Sequence, residues 1–418
     1  MVKNCGIDFG TSNSALAVAI DRTVSLARIE GDDITLPSAI FFPHDNPPQF
    51  GRAAIQLFTE GEEGRFMRSL KRILGTSLIE QGTVVNGRHI RFDDIIGNFI
   101  GHIKTRAETE IDDTLDNVVM GRPVHFVDGD DAANTRAQNN LDDIARSVGF
   151  KNVEFQYEPI AAAFAHERMV TGEKLAIVIY IGGGTSDFTV IRLSHAHRDT
   201  QDRKNDILAN SGVRIGGNDF DRELSLGAFM PVLGYKTSYS ENGKILPMPS
   251  SPFFGMSEWS KINFLYTPRT KSALQRLLPQ CHAKQKFERF IKILKAEAGH
   301  HLLSVVEDSK VSLTGQTQID ADLGFIEDGL TVNVTQAGFN QAVEKHVATI
   351  AQFISSCLQQ AGVSAGQIEL VILTGGTTEV PLVKETVRIH FPDAEFSEGN
   401  KLSSVGLGLG YESIRRFG

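Results

Sequence analysis

Leu175 to Leu193 reads LAIVIYIGGGTSDFTVIRL, an apolar run, a glycine turn and a second apolar run. Leu175 to Ile181 carries no charge and is rich in branched side chains, which suits a strand buried on both faces. Gly182, Gly183 and Gly184 strip the turn of β-carbons, so bare backbone N–H groups can approach an anion. Thr185 and Ser186 add hydroxyl donors, and Asp187 offers a carboxylate to a metal or a phosphate-bound cation. The start of the chain repeats the design: Gly6-Ile7-Asp8-Phe9-Gly10-Thr11-Ser12-Asn13-Ser14, then the apolar Ala15 to Ile20. Two such units imply a duplicated fold that grips one polyphosphate from two sides.

The bulk properties narrow the class. With 418 residues, the chain exceeds one hydrophobic core and suits two large lobes. Lys and Arg number 42 against 51 Asp and Glu, and the net charge of −9 argues against a general nucleic-acid or anionic-membrane binder. A phosphate site must then be local, built from backbone dipoles and a few cations. Cys5, Cys281 and Cys357 are far apart and odd in number, neither a disulfide framework nor a zinc spacing, which fits a reducing compartment. No signal peptide is read at the N-terminus and no apolar run nears ~18 residues, so a cytoplasmic location is expected. His195 with His197, and His300 with His301, lack companion ligands at metal spacing and read as surface histidines. No Ser-His-Asp arrangement is arguable.

Along the chain, residues 4 to 42 read as a β-meander and 64 to 74 as a short basic helix. Longer helices are expected over 92–111, 132–148 and 160–169, the last with Pro159 in its first turn. Residues 195–205 read as a loop. Residues 234–279 are irregular and read as an insertion without an assigned role. Helices follow over 286–298, 302–311 and within 335–362; a buried strand, 369–374, feeds Gly375-Gly376-Thr377. The closing VGLGLG segment at 405–410 would allow close helix packing.

Several motifs, in order, resemble the nucleotide-binding domain of heat shock protein 70 (DnaK-type) chaperones: DFGTSN at Asp8, YEPIAAA at Tyr157, IGGGTSD at Ile181, GGNDFD at Gly216 and LTGGT at Leu373. GRPVHF at Gly121, ANTRAQ at Ala133, RIGGNDFD at Arg214, EDSKVSL at Glu307 and SSVGLGL at Ser403 resemble the YegD-like branch. The resemblance implies an α/β, actin-like ATPase fold, with ribonuclease H-like duplicated β-sheet domains forming two lobes around an ATP cleft. It places lobe I at 1–172 plus 395–418 and lobe II at 173–394. It further implies ATP or ADP with Mg²⁺ as ligands, no nucleic acid or membrane partner, and an unidentified protein partner or co-chaperone.

The resemblance also implies roles for residues. Gly10, Thr11, Ser12 and Asn13 would form one phosphate loop, and Gly182, Gly183, Gly184 and Thr185 the other. Asp8 and Asp187 would be metal-side carboxylates, Lys71 the phosphate-facing catalytic lysine, and Glu158 a carboxylate near the hydrolytic water. Gly216 and Gly217 would border the sugar; Glu307, Lys310 and Thr314 would hold the nucleoside; Gly375, Gly376 and Thr377 would form the adenosine loop. Read without the resemblance, Glu158 serves equally as a helix-start carboxylate, and Asp187 as a cap on its own turn.

Three departures stand out. Where the family has Asp-Leu-Gly-Gly-Gly, this chain has Tyr180-Ile181-Gly182-Gly183-Gly184. A phenol, with a pKa of about 10, is no carboxylate base at neutral pH, so weakened hydrolysis is expected. Val311 and Glu379 stand where the family stacks adenine between arginines, which puts base preference in question. The sequence ends at Gly418 without the family's peptide-binding domain, so ATP-gated peptide clamping is not expected of it. The sequence thus leaves three readings: an ATPase with weakened turnover, a nucleotide-sensing binding module, and a small-molecule kinase on the same fold.

Overall fold

The computed structural model describes residues 3–198, 200, 203–397 and 403–418. It divides into two compact units: residues 1–216 with 349–378 and 383–418, and residues 217–348 with 379–382.

The first unit contains one sheet design twice. In the first copy, β1 (Asn4–Phe9) pairs antiparallel with β2 (Asn13–Ile20), and β2 with β3 (Thr23–Leu26). On its other side β1 pairs parallel with β4 (Asn117–Arg122), and β4 with β5 (Asn152–Tyr157). In the second copy, β6 (Glu173–Ile181) pairs antiparallel with β7 (Ser186–Ser194), and β7 with β8 (Ile207–Val213). Parallel partners β9 (Leu370–Thr374) and β10 (Glu395–Ser397) then extend from β6. Register makes the repeat quantitative. Phe9 faces Ser14 across the first bend and Ile181 faces Ser186 across the second, so each bend spans four residues. One step back, Asp8 faces Ala15 and Tyr180 faces Asp187.

Both sheets are covered by helices. The helices Phe92–Ile111 and Asp131–Ser147 bury Ile96, Phe99, Ile103, Leu141 and Ile144 against Ile7, Leu16 and Met120 of the first sheet. The helix Glu158–Glu167 and the C-terminal helix Ser404–Phe417 pack Ala161 to Ala163, Val405 and Leu409 with Val178, Ile191 and Ile372. The VGLGLG segment sets this packing distance. A β-carbon on Gly408 would overlap the carbonyl of Ala161, and one on Gly6 would overlap the backbone of Leu409.

The second unit holds the helices Gly217–Leu224, Ser251–Met256, Pro268–Leu277, Lys284–Ala296 and Gly299–Ser312, with two small hairpins. Phe253, Phe287 and Phe290 form its aromatic core, with Phe253 and Phe290 centroids 4.7 Å apart. Residues 234–279 are thus ordinary packed chain, with short helices and a hairpin where the sequence reads as irregular. Its apolar residues are spaced too briefly to reveal a period.

Two further expectations need correction. Residues 64–74 are not a helix: Gly64–Arg68 is a strand paired with Ala39–Pro43, and Leu70–Ile73 is a single 3₁₀ turn. Ser69, with φ of 60°, separates them in a left-handed conformation that no helix continues through. The expected fourth strand is divided: Leu36–Pro37 pairs with β2, whereas Ala39–Pro43 joins a separate three-stranded sheet. Of the loop 195–205, residues 199, 201 and 202 lie outside the described residues.

The close approach at Gly408 gives a stability prediction. Gly408→Ala should lose about 2–3 kcal/mol by overpacking, whereas Gly366→Ala, with open space around it, should stay within about 0.5 kcal/mol. Urea denaturation of both variants checks this; equal midpoints would contradict the packing described.

Candidate functional site

The two bends meet within the first unit. A β-carbon on Gly183 would overlap the hydroxyl of Ser12, and one on Gly184 would lie 2.7 Å from the hydroxyl of Thr11. Gly216 closes on the same place: its β-carbon would be 2.5 Å from the amide nitrogen of Gly184. The third glycine turn joins them. Gly375, at a φ of +86°, lies against the carbonyl of Ile181, and the Thr377 hydroxyl donates to the Gly182 carbonyl at 3.0 Å. Each bend is also braced from within: Gly182 N–H donates to the Thr185 carbonyl at 3.0 Å, and Gly10 N–H to the Ser14 hydroxyl at 3.2 Å.

Four charged side chains are buried beside these bends. Lys71, from the 3₁₀ turn, pairs with Glu158, the first residue of its helix, and their side chains are 7% and 1% exposed. Asp8 at the end of β1 and Asp187 at the start of β7 are 6% and 0% exposed. Among the described residues, Asp8 Oδ1 and Asp187 Oδ2 have no hydrogen-bond partner. Such orphaned carboxylate oxygens are costly unless a cation meets them. Burial, followed by the negative charge of Glu158, pushes both carboxyls up, each to about 7.

Asp187 does not cap its own turn. Its Oδ1 accepts from the Val124 N–H at 2.7 Å. Gly212 makes room for it, since a β-carbon there would be 2.7 Å from Oδ1. Tyr180 lies beneath the second bend, 8% exposed, near the carboxylates of Glu158, Asp8 and Asp187. Burial, reinforced by Glu158, Asp8 and Asp187, raises its ionisation well above that of a free phenol. Tyr180 is therefore a neutral phenol.

Sequence reasoning missed Val124 and Gly212. Both act through backbone, the first as a donor and the second as space, and neither leaves a side-chain signal. Among the described residues, no group of three or more His, Cys, Asp and Glu could hold a metal by itself. Two carboxylates completed by phosphate oxygens and water remain a fitting donor set for Mg²⁺, which seldom takes an all-protein cage.

The other expected residues lie in the second unit. Gly217 opens the helix Gly217–Leu224. Glu307 and Lys310 lie on Gly299–Ser312, where Lys310 pairs with Asp221 at 2.7 Å. Thr314 follows that helix and donates to the Val311 carbonyl at 2.7 Å.

A doubled sheet whose glycine bends converge on buried carboxylates has the layout of an α/β nucleotide-binding domain. The family model described as Hsp70 protein matches residues 4–229 and 276–408, and the chain belongs to the Hsp70 family. That membership implies an actin-like ATPase fold, with which this mixed α/β architecture agrees, and a nucleotide-binding, chaperone-like ATPase domain, usually with Mg²⁺. The match omits residues 230–275. Among the described residues, no helix is long and apolar enough to cross a membrane.

The buried carboxyls have a pH signature. Their folded pKa of about 7 lies above the ordinary 3.8, so between those values the folded, metal-free protein holds protons that the unfolded chain has lost. Their contribution to stability therefore falls as pH rises through that window. In EDTA, Asp8→Asn should lose less stability than the parent between about pH 5 and pH 7. Parallel pH–stability curves for the two proteins would refute the assignment.

Proposed function

We propose that this chain binds Mg²⁺-ATP and ADP at the paired bends and hydrolyses ATP slowly, as a member of the YegD-like branch. The supporting observation is the pair of orphaned carboxylate oxygens on Asp8 and Asp187, beside bends rich in glycine and hydroxyl side chains. The amides and hydroxyls of Gly10 to Asn13 and Gly182 to Thr185 hold the phosphates, while Gly375 to Thr377 line the adenosine. Gly216 and Gly217 border the sugar, and Glu307, Lys310 and Thr314 hold the nucleoside. In this reading, lobe I comprises 1–172 with 395–418, and lobe II comprises 173–394. Mg²⁺, held on the Asp8 and Asp187 side, supplies neutralisation of phosphate charge.

In turnover, water attacks the γ-phosphoryl group while Lys71 and the loop donors take up the developing charge. Glu158 orients Lys71 and stands near the hydrolytic water. Position 180 is the register equivalent of Asp8 in the second sheet, and there the chain carries a neutral phenol instead of a second acid. Without that carboxylate, the attacking water loses one anionic acceptor and keeps only Glu158 nearby. The loss expected for a missing general base is about 10²-fold or more.

The same observation favours a second reading, in which the domain senses nucleotide and presents a surface to a protein partner without turnover. Calorimetric titration with Mg²⁺-ATP and Mg²⁺-ADP should detect binding by the parent and a marked weakening in Asp8→Asn. Single-turnover hydrolysis should be about 10²-fold faster in Tyr180→Asp than in the parent. Equal rates would remove Tyr180 as the cause, and no detectable turnover in either protein would favour the sensing module. ADP production that depends on an added sugar would instead point to a kinase. A cytoplasmic location fits all three readings.

A further inference from the structure

We propose that an arginine-lined pocket at the C-terminal end of the helix Ser404–Phe417 binds a compact oligophosphate. This site is separate from the glycine bends, and the proposal is independent of the nucleotide reading. The pocket, of about 540 Å³, lies within the first unit and is lined by Arg22, Arg168, Arg198, Arg415 and Arg416, with Tyr411. That volume suits a small ligand. In a chain of net charge −9, five cations around one concavity are a marked local reversal.

Carboxylates offset only part of this charge. Arg415 pairs with Glu412, and Arg416 with Glu412 at 3.2 Å and Glu154 at 2.7 Å. Arg22 and Arg168 have no carboxylate partner among the described residues. Arg168 is instead held by stacking, its guanidinium carbon 3.9 Å from the Tyr411 ring centroid. All five cations are arginines, whose planar forks take two oxygens of one oxyanion at once.

The turn that carries Arg22 supplies a second, independent observation. Asp21 and Arg22 form the two-residue bend between β2 and β3, where Ile20 pairs with Thr23. Their φ values are 49° and 62°, left-handed at both positions. Glycine is the usual second residue of such a bend, and an arginine there strains the backbone. Strain kept at a pocket rim points to a function for the side chain that imposes it. A concave site with converging forks favours the dense charge of an oligophosphate over an extended acidic peptide, whose carboxylates are spread along the chain.

Calorimetry on the full chain with sodium tripolyphosphate tests this, using Arg22→Gly and Arg168→Ala as variants. Each variant should bind at least about tenfold more weakly than the parent, with affinity falling steeply as salt rises. Arg22→Gly should also melt at or above the parent temperature without ligand, because glycine relieves the left-handed strain. Retention of Mg²⁺-ATP binding by Arg168→Ala would confirm that the loss is local. Unchanged affinity in both variants would assign the binding elsewhere, including the glycine bends, and overturn the proposal. So would the absence of binding by the parent, or tighter binding of octaglutamate than of tripolyphosphate.

Discussion

Burying Asp8 and Asp187 without enough hydrogen bonds is the constraint on which the rest of the first unit depends. Among the described residues, each carboxylate keeps one oxygen without a partner, and each carboxyl is pushed up to about 7. An apolar core tolerates such groups only where compensation is close. Part of it is local: the Lys71–Glu158 ion pair and the Val124 amide. The remainder is what a metal–phosphate ligand would supply. The glycine bends, the 3₁₀ turn carrying Lys71 and the start of the helix Glu158–Glu167 all serve to bring these groups together.

The repeated sheet explains how one chain builds both halves of such a site. Each copy has three antiparallel strands and two parallel ones, the first with Leu36–Pro37 added beside β2, and a four-residue bend between its first two strands. The copies then diverge at equivalent positions. Asp8 in one corresponds to Tyr180 in the other, and Ala15 corresponds to Asp187. The first copy thus carries its acid on the leading strand and the second on the returning strand. Tyr180 fills the remaining corner with a ring and a neutral hydroxyl.

Much of this was legible in the sequence, for physical reasons that differ by element. The two bends could be read because glycine and small hydroxyl residues follow an apolar strand each time, and the pattern recurs along the chain. The helix Phe92–Ile111 could be read because Ile95, Ile96, Phe99 and Ile103 trace one face over several turns. Residues 64–74 misled because Arg65, Arg68, Lys71 and Arg72 look like a charged helix face. Phe66 and Met67 in fact enter a sheet, and Ser69 reverses the backbone. Val124 and Gly212 could not be read, because a backbone donor and a missing β-carbon have no residue signature. The fold of 234–279 was hidden for a related reason: its short elements are held by tertiary aromatic contacts such as Phe253 with Phe290, which lie far apart in sequence.

The central claim is that the paired bends and the two buried carboxylates form one triphosphate site. A crystal structure of the chain with Mg²⁺ and a non-hydrolysable ATP analogue tests it most directly. The account predicts phosphate oxygens on the amides of Gly10 to Asn13 and Gly182 to Thr185, with the metal on the side of Asp8 and Asp187. Nucleotide bound elsewhere, with both bends empty and Asp8 and Asp187 still without a cation, would contradict it.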